Sequence, residues 1–205
     1  MEQYQSTYEL KYISLFSGIG GFELGIQKIF PNAICLGYSE INSSAIQVYE
    51  KHFPNHPALD DIREINGKKF RGKVDLLVGG SPCQNFSAAG DRKGLKGKKS
   101  SLFYEYIRLL KEIKPKYFIL ENVKMKKMDE NKISKLLRTE PVLINSNIIS
   151  LQRRNRLYWC NFDISKVSTL DNMEGCVKDI LLDRNDERLK DSVWRDLRKQ
   201  DNMTD

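Results

Sequence analysis

The chain has 205 residues, 40% of them hydrophobic and 30% charged, and its formal net charge is +7, which excludes a disordered protein and favours a polyanionic partner such as nucleic acid. No apolar run reaches the roughly 18 residues that a membrane helix needs, and the N-terminus lacks a secretory signal, so we expect a cytoplasmic protein. Four scattered cysteines and two histidines predict neither a disulfide framework nor a metal site.

Strand-like and helix-like patterns alternate along the first 165 residues. Strands separated by helix-length connections predict an α/β fold, in which a mostly parallel sheet is covered by helices on both faces. The predicted strands are Lys11–Phe16, Ala33–Glu40, Lys73–Val78, Lys116–Leu120, Val142–Ile149 and Arg156–Phe162, and the predicted helices are Gly21–Phe30, Asn42–His52 and Ser101–Ile113.

The C-terminal segment differs in charge, because residues 171–205 contain ten acidic and seven basic residues. An apolar side of a helix could form there, from Leu189, Val193 and Leu197 with Trp194 beside them. We therefore predict a main domain over residues 1–165. We predict that residues 166–205 are a charged helical tail, which docks on a partner or begins a further region.

The carboxyl ends of the predicted parallel strands carry reactive or backbone-exposing groups, and ligands bind beyond this edge in such sheets. Gly18 and Gly20 follow the first strand, where glycine permits a tight turn and the close approach of a ligand. Glu40 ends the second strand, where an acid accepts hydrogen bonds from ribose hydroxyls. Glu23 replaces the third glycine of a dinucleotide fingerprint and would repel a pyrophosphate. The pattern favours an adenosine ligand without phosphates, and a plain turn with a surface acid is the alternative.

Cys83 follows the third predicted strand, in the segment GGSPCQNFS. Its place at a strand end, after Pro82 and among basic residues that favour a thiolate, is typical of a nucleophile. A protease dyad is a poor interpretation because only His52 and His56 are available, and a buried structural cysteine is the alternative. The cysteines that lack such surroundings are predicted to be structural, and they are Cys35, Cys160 and Cys176.

Two further sets of polar residues are candidates for a site. Glu121 follows an apolar strand, where a carboxyl group can act as an acid or simply bind a backbone amide. Gln152, Arg154 and Arg156 alternate along a strand-like stretch, which predicts that they point to one face. Three groups that project together suggest a site, and scattered surface charge is the alternative.

Residues 11–160 resemble the DNA (cytosine-5) methyltransferases, because six segments occur in the order of that family. These segments are LFSGIGGFELG, Glu40, Asp60–Ile62, GGSPCQNFS, Glu121–Val123 and QRRNR at Gln152–Arg156. The trio SPCQ, ENV and Q-x-R-x-R is highly specific. The resemblance implies a Rossmann-like S-adenosylmethionine-dependent methyltransferase fold, double-stranded DNA as the partner, and a nucleoid-associated protein of bacterial or phage type.

The resemblance also implies a role for each matching residue. Cys83 would attack the cytosine, while Glu121, Arg154 and Arg156 would hold the flipped base. The residues implied to bind S-adenosylmethionine are Phe16, Gly18, Gly20, Glu40, Ile41, Asp61, Ile62 and Leu102. The residues implied to contact DNA are Ser81, Pro82, Gln84, Ser87, Asn122 and Gln152.

Full members of the family continue past Q-x-R-x-R into a target-recognition region and further motifs of the cofactor pocket, and these motifs do not occur after Arg156. We therefore expect a catalytic subunit or fragment that needs a second polypeptide. A non-catalytic DNA-binding or regulatory relative is the alternative, against which Cys83 and Glu121 argue. A dinucleotide-dependent oxidoreductase is a third interpretation, against which Glu23 and the pairing of SPCQ with ENV argue.

Overall fold

The structure is a computed structural model that describes residues 8–82, 101–148 and 153–169. The chain divides into two compact units, one of residues 1–145 with 154–170 and the other of residues 146–153 with 171–205. In the second unit, the described residues include a short 3-10 helix over Ser146–Ile148. The predicted tail lies outside the described residues from residue 170 onward, so the domain boundary at residue 165 stays a prediction.

Within the described residues, the first unit contains six strands, four α-helices and two short 3-10 helices, at Gly67–Phe70 and Ser165–Thr169. The strands are β1 (Lys11–Leu15), β2 (Ile34–Ser39), β3 (Leu76–Gly80), β4 (Tyr117–Val123), β5 (Val142–Asn145) and β6 (Asn155–Cys160). The helices are α1 (Gly21–Ile29), α2 (Ser43–His52), α3 (Ser101–Ile113) and α4 (Lys127–Leu137). The sheet has the order β2-β1-β3-β4-β6-β5, in which β1 to β4 are parallel and β6 is antiparallel to both of its neighbours.

Helices cover both faces of this sheet, because successive side chains of a strand point to opposite faces. Leu77 of β3 packs in one hydrophobic cluster with Tyr106 of α3 and Ile133 of α4. The next residue, Val78, packs in a second cluster with Ile26 of α1. The predicted α/β fold, with a mostly parallel sheet between helices, is therefore confirmed.

The helix α4 was not among the predicted elements. Its segment is highly charged, and its N-cap residue Lys126 makes no side-chain capping hydrogen bond, so the usual start signal is missing. The helix nevertheless buries Ile133 and Leu137, which are four residues apart and face the core. In contrast, α2 begins at Ser43, one residue after the predicted start, because Asn42 is its N-cap: Oδ1 of Asn42 accepts a hydrogen bond from the backbone N–H of Ala45 at 3.1 Å.

The end of β4 is longer than the sequence predicts, and this changes the setting of two candidate residues. The predicted strand ends at Leu120, whereas the backbone stays paired as far as Val123. The pairing continues because β3 extends to Gly80, opposite Glu121, and because β6 pairs with Asn122 and Val123. Glu121 and Asn122 are therefore fixed within a strand rather than placed on a loop after it.

Candidate functional site

One edge of the sheet collects most of the predicted site residues. The parallel strands β1 to β4 end there, with Leu15 opposite Ser39 of β2 and Gly79 of β3. The antiparallel strand β6 begins at the same edge, with Arg156 opposite Val123. Because β6 runs antiparallel to β4, Arg156 at its start lies at the edge where the parallel strands end.

The loop after β1 turns tightly and contacts Glu40. Phe16, Gly18 and Gly20 have φ values of 54°, 57° and 94°, in the left-handed region that favours glycine. A Cβ atom on Gly20 would lie 2.3 Å from the ring of Phe53, so only glycine fits there. The backbone N–H of Gly18 donates to Oε2 of Glu40 at 2.9 Å, which ties the first loop to the second.

Backbone donors hold the carboxylate of Glu40 in place. In addition to the Gly18 contact, its Oε1 atom accepts hydrogen bonds from the N–H groups of Ile41 and Asn42, each at 2.9 Å. A carboxylate has about four acceptor positions, so a position remains for a ligand hydroxyl. This geometry suits the ribose contact that the sequence indicates.

A cavity of about 180 Å³ lies beside this carboxylate. Its lining residues are Phe16, Ser39, Glu40, Ile41, Asp61, Ile62, Gly80, Pro82 and Leu102. Six of the predicted cofactor residues are in this lining. Gly18 and Gly20 are not among the lining residues, and they shape the loop after β1. Sequence reasoning missed Ser39 and Gly80, although both stand at the strand ends where ligand contacts are expected.

Arg63 binds the carboxylate of Asp61, and this residue was also missed. Its Nε atom lies 3.0 Å from both carboxylate oxygens, its Nη2 donates to Oδ2, and its backbone N–H donates to Oδ1 at 2.9 Å. The hydrogen bonds from Arg63 hold the pKa of Asp61 below its usual value, so Asp61 is an ionised acceptor at neutral pH. The sequence signal that could have revealed this contact is a basic residue, Arg63, two positions after the acidic Asp61.

An ion pair joins the end of β4 to the start of β6. The Nε atom of Arg156 lies 2.7 Å from Oε1 of Glu121, and both side chains are largely buried. Gly80 packs against this pair, because a Cβ atom there would lie 2.8 Å from Oε2 of Glu121. The guanidinium also donates to the carbonyl oxygen of Asn155 at 2.8 Å, so its orientation is fixed on two sides.

Asn122 holds the segment that precedes Cys83. Its Nδ2 atom donates to the Oγ and carbonyl oxygen of Ser81 at 2.9 and 3.3 Å, and its Oδ1 accepts from the N–H of Val123 at 2.8 Å. Asn122 and Ser81 are both buried. Their burial favours a positioning role over the DNA contact that the resemblance implies.

Four of the predicted site residues lie outside the described residues, and these are Cys83, Gln84, Ser87 and Gln152. Arg154 is described, but the expectation that it alternates with Arg156 along a strand is wrong. The strand β6 begins at Asn155, because its partner β5 ends at Asn145. The backbone N–H of Arg154 instead donates to the side-chain oxygen of Asn145 at 3.1 Å.

The interpretation of Glu23 as a residue that faces a ligand is wrong. Its side chain is fully buried, and its Oε1 atom accepts a hydrogen bond from Tyr49 of α2. The cause is the helical geometry, which turns this position toward α2 rather than toward the loop before α1. Glu23 therefore does not argue for or against a phosphate ligand.

The cysteines other than Cys83 are the last of the sequence-predicted residues to be placed. Cys35 and Cys160 are buried, and burial raises the pKa of their thiols to about 11 and about 12, which suits structural residues. Cys176 lies outside the described residues.

In the part of the chain that the structure describes, no cluster of three metal-ligating side chains occurs and no helix is long and apolar enough to span a membrane.

The parallel sheet with its antiparallel β6, and the cavity at the strand ends with its two carboxylates, define a protein of the Rossmann-like methyltransferase class. A solved structure of the S. pombe Dnmt2 methyltransferase has this fold, with a TM-score of 0.59 and 23% identity over 87% of this chain and 58% of that chain. This likeness shows the fold alone.

The chain belongs to the C-5 cytosine-specific DNA methylase family, whose model matches residues 10–199. It is 39% identical over 163 residues to the orphan methyltransferase M.Rho11sI of Bacillus phage rho11s, which covers 73% of this chain and 32% of that protein. It is 32% identical over 196 residues to the type II methyltransferase M.FnuDI of Fusobacterium nucleatum, and this alignment covers 90% of this chain and 55% of that protein. The chain thus spans about a third to just over half the length of these relatives. The resemblance drawn from the sequence is confirmed, and family and fold together imply S-adenosylmethionine as the methyl donor.

Proposed function

We propose that this chain carries the catalytic part of a DNA (cytosine-5) methyltransferase, which transfers a methyl group from S-adenosylmethionine to carbon 5 of a flipped-out cytosine. The observation that carries the proposal is the Glu121–Arg156 ion pair, which lies beside the segment that leads to Cys83. A carboxyl group next to a guanidinium offers an acceptor for the amino group of cytosine and a donor for its carbonyl oxygen.

The residues of the cavity fit the adenosine end of S-adenosylmethionine, which supplies an electrophilic methyl group when it is bound. Glu40 would accept the ribose hydroxyls, because its carboxylate is fixed by backbone donors and keeps an acceptor position. Asp61 would accept the adenine amino group, since it stays ionised at neutral pH. The apolar contacts to the adenosine would come from Phe16, Ile41, Ile62 and Leu102.

The reaction needs a nucleophile, because carbon 5 of cytosine is too weakly nucleophilic to accept a methyl group unaided. Cys83 would add its thiolate to carbon 6, and the electron pair of the ring double bond would then move to carbon 5. Glu121 would hold a proton at ring nitrogen 3, and Arg156 would stabilise the charge on the carbonyl oxygen. Carbon 5 would then take the methyl group as S-adenosylhomocysteine leaves. A water molecule would remove the proton from carbon 5, and the sulfur–carbon bond would break with its electron pair returning to sulfur, which restores the thiolate of Cys83.

DNA has to present the cytosine outside the stack, because carbon 6 cannot be reached within a duplex. Residues 84–100 contain three glycines and five Lys/Arg residues, which suit a segment that closes over phosphates. This segment lies outside the described residues. The further DNA contacts in this proposal are Pro82, Gln84, Ser87 and Gln152. Arg154 would hold the flipped cytosine together with Arg156.

Covalent trapping tests the nucleophile. Incubation with a duplex that contains 5-fluorocytosine and with S-adenosylmethionine should give a stable adduct, because the fluorine on carbon 5 cannot be removed as a proton is. We expect Cys83→Ser to abolish the adduct and Cys35→Ala, which removes a buried thiol of raised pKa, to keep it. Equal trapping by the serine variant would contradict the assignment of Cys83.

Calorimetry tests the cofactor. We expect binding of S-adenosylmethionine that weakens in Glu40→Ala, because the ribose loses its acceptor. Glu64→Ala is the matched control, since Glu64 is exposed and does not line the cavity. Tight binding of NADH with no response to S-adenosylmethionine would favour the oxidoreductase interpretation instead.

The predicted second polypeptide finds no support in the comparisons and stays a prediction. The residues expected to dock it, which are Leu189, Val193, Trp194 and Leu197, lie outside the described residues. Methyl incorporation into mixed-sequence DNA by the purified chain tests the requirement. Robust, sequence-specific turnover by the chain alone would rule it out.

A further inference from the structure

Glu23 and Tyr49 form a buried polar contact outside the proposed site. The carboxyl group of Glu23 is fully buried on α1, and its Oε1 atom accepts a hydrogen bond from the hydroxyl of Tyr49 on α2 at 3.0 Å. The same hydroxyl lies 3.0 Å from Nδ1 of His56. Burying a carboxyl group costs free energy, and apolar side chains would fill this place at lower cost.

This hydrogen bond joins the helices that follow the two loops of the cofactor cavity. The helix α1 begins directly after the glycine loop, and α2 begins shortly after Glu40. The loops themselves are in contact through the Gly18 N–H and the Glu40 carboxylate. The bond between Glu23 and Tyr49 is therefore a second connection between the same two segments of the chain.

Aromatic packing fixes the position of the Tyr49 hydroxyl. The ring of Tyr49 stacks on Tyr38, with 4.0 Å between the ring centroids, and contacts Phe53 at 5.0 Å. Phe53 in turn stacks on His56 and fills the space beside Gly20. Because a Cβ atom on Gly20 would already clash with this ring, a shift of α2 would displace the glycine loop.

Among the residues that the structure describes, none of the groups found around the Glu23 carboxyl carries a positive charge at neutral pH. The titratable and hydroxyl groups that face it are Tyr12 and Ser14 of β1, Cys35 of β2, Tyr49 of α2, and His56 behind Tyr49. Burial lowers the pKa of His56, so this ring is neutral at pH 7. Contacts from Ser14 and from the backbone of Glu23 itself also favour the ionised carboxyl group. The hydroxyl of Tyr49 is the donor that reaches it from α2.

We propose that Glu23 and Tyr49 are a positioning pair that fixes the spacing between the glycine loop and the Glu40 loop, and thereby the shape of the cofactor cavity. The inference rests on the proposed function for the identity of the ligand, S-adenosylmethionine. Neither side chain lines the cavity, so the pair acts through the two loops.

Four substitutions separate this role from simple packing. Tyr49→Phe removes the hydroxyl and keeps the ring, whereas Tyr38→Phe is the matched control, because its hydroxyl bonds to Glu50 instead. Glu23→Leu removes the acceptor, whereas Glu23→Gln keeps one. We expect Tyr49→Phe and Glu23→Leu to bind S-adenosylmethionine roughly fivefold more weakly. The other two variants should bind it within about twofold of the wild type.

Amide hydrogen exchange on the protein without cofactor gives a readout that does not depend on the ligand. In Tyr49→Phe and Glu23→Leu, the amides of Gly18 and Gly20 should exchange roughly fivefold faster. The amide of Leu77 on the central strand β3 should keep its protection. A general loss of stability would accelerate Leu77 as well, so the pattern distinguishes a local effect from a global one.

The exchange and binding results test the positioning pair and the proposed function separately. Equal exchange at Gly18 in Tyr49→Phe and Tyr38→Phe would overturn the inference, whatever the cofactor result. Additive losses in the double variant Glu23→Leu, Tyr49→Phe would also overturn it, because a pair that acts through one bond loses that bond only once. If the wild type binds no S-adenosylmethionine while the loop amides respond as expected, the proposed function fails and the positioning pair stands.

Discussion

The side-chain amide of Asn122 donates hydrogen bonds to both the hydroxyl and the carbonyl oxygen of Ser81. Asn122 follows Glu121 on β4, and Ser81 precedes Cys83 by two residues. One buried side chain therefore links the strand that carries the proposed base-holding carboxylate to the segment that carries the proposed nucleophile. This contact fixes Ser81, two residues before Cys83, relative to the strand that carries Glu121.

We expect Asn122→Ala to reduce covalent trapping of 5-fluorocytosine DNA by about a hundredfold, because a small misplacement of a reacting group has an effect of this size. The free energy of unfolding should fall by about 2 kcal/mol, since buried partners lose their hydrogen bonds. Asn131→Ala, on an exposed position of α4, is the control. Unchanged trapping kinetics in Asn122→Ala would argue that Ser81 needs no such support.

Gly80→Ala should impair the reaction with little loss of stability. The added Cβ atom would lie 2.8 Å from Oε2 of Glu121, and the flexible end of that side chain can move away at a cost below about 1 kcal/mol. The carboxylate would then leave its position beside Arg156, and we expect turnover to fall at least roughly tenfold.

The control for this variant is Gly25→Ala, which adds a methyl group in open space on α1. Alanine is favoured over glycine in a helix by about 0.5–1 kcal/mol, so this control should unfold at a slightly higher temperature and keep its activity. Measuring turnover and thermal unfolding for both variants separates displacement of Glu121 from a general effect of an added methyl group.

Arg108 on α3 should support the cofactor cavity. Its Nη1 atom donates to the carbonyl oxygen of Ile65 and its Nη2 atom to that of Ile62, each at 2.9 Å. Both carbonyl groups belong to the short segment that follows Asp61 in the chain. Arg108→Lys cannot reproduce this fork. We expect its affinity for S-adenosylmethionine to fall by roughly tenfold in calorimetry. Lys111→Met, on the exposed side of the same helix, should bind like the wild type, and equal affinities of the two variants would contradict the assignment.

Glu23→Gln should change how stability depends on pH. Burial raises the pKa of Glu23 in the folded protein above its ordinary value of 4.5. Between these two pKa values, the folded state holds a proton that the unfolded state releases. The contribution of Glu23 therefore makes the free energy of unfolding decrease as the pH rises through this window. Each pKa unit of difference is worth about 1.4 kcal/mol. Glutamine cannot ionise, so this decline should be missing in the variant.

Thermal unfolding between acidic and slightly alkaline pH measures this effect. The melting temperature of Glu23→Gln relative to the wild type should rise with pH through that window and then level off. Glu64→Gln, at an exposed position, is the control and should parallel the wild type. Parallel curves for Glu23→Gln and the wild type would mean that Glu23 is ionised in the folded protein as readily as in the unfolded chain.

The sequence predicts the first four strands and the place of the site, because apolar runs followed by glycine or acidic residues mark the ends of buried parallel strands. The cap at Asn42 is also readable, since it depends on local geometry alone. The antiparallel insertion of β6 between β4 and β5 is not readable in this way. Short strands carry no local record of which neighbour they pair with, and the pairing of Arg156 with Val123 follows from the whole sheet.

The environment of individual side chains is the other part that sequence reasoning misses. Glu23 looks like a ligand-facing or exposed acid, and only the packing of Tyr49 against α1 shows that it is buried. The contact of Arg108 on α3 with the carbonyl oxygen of Ile62 is missed for the same reason. Such contacts depend on how loops and helices dock, and residue types at fixed spacing do not encode that docking.

The strand β6 carries both Arg156 and Trp159, and this has a consequence for how the protein folds. Trp159 is fully buried, with its indole N–H donating to Oγ of Ser134 at 3.0 Å. The strand reaches β4 only when the intervening chain closes into a loop, which has an entropic cost that pairing must repay. Pairing of β6 with β4 therefore places Trp159 in the core and Arg156 beside Glu121 together, so a change that weakens this pairing would disturb the core and the candidate site at once.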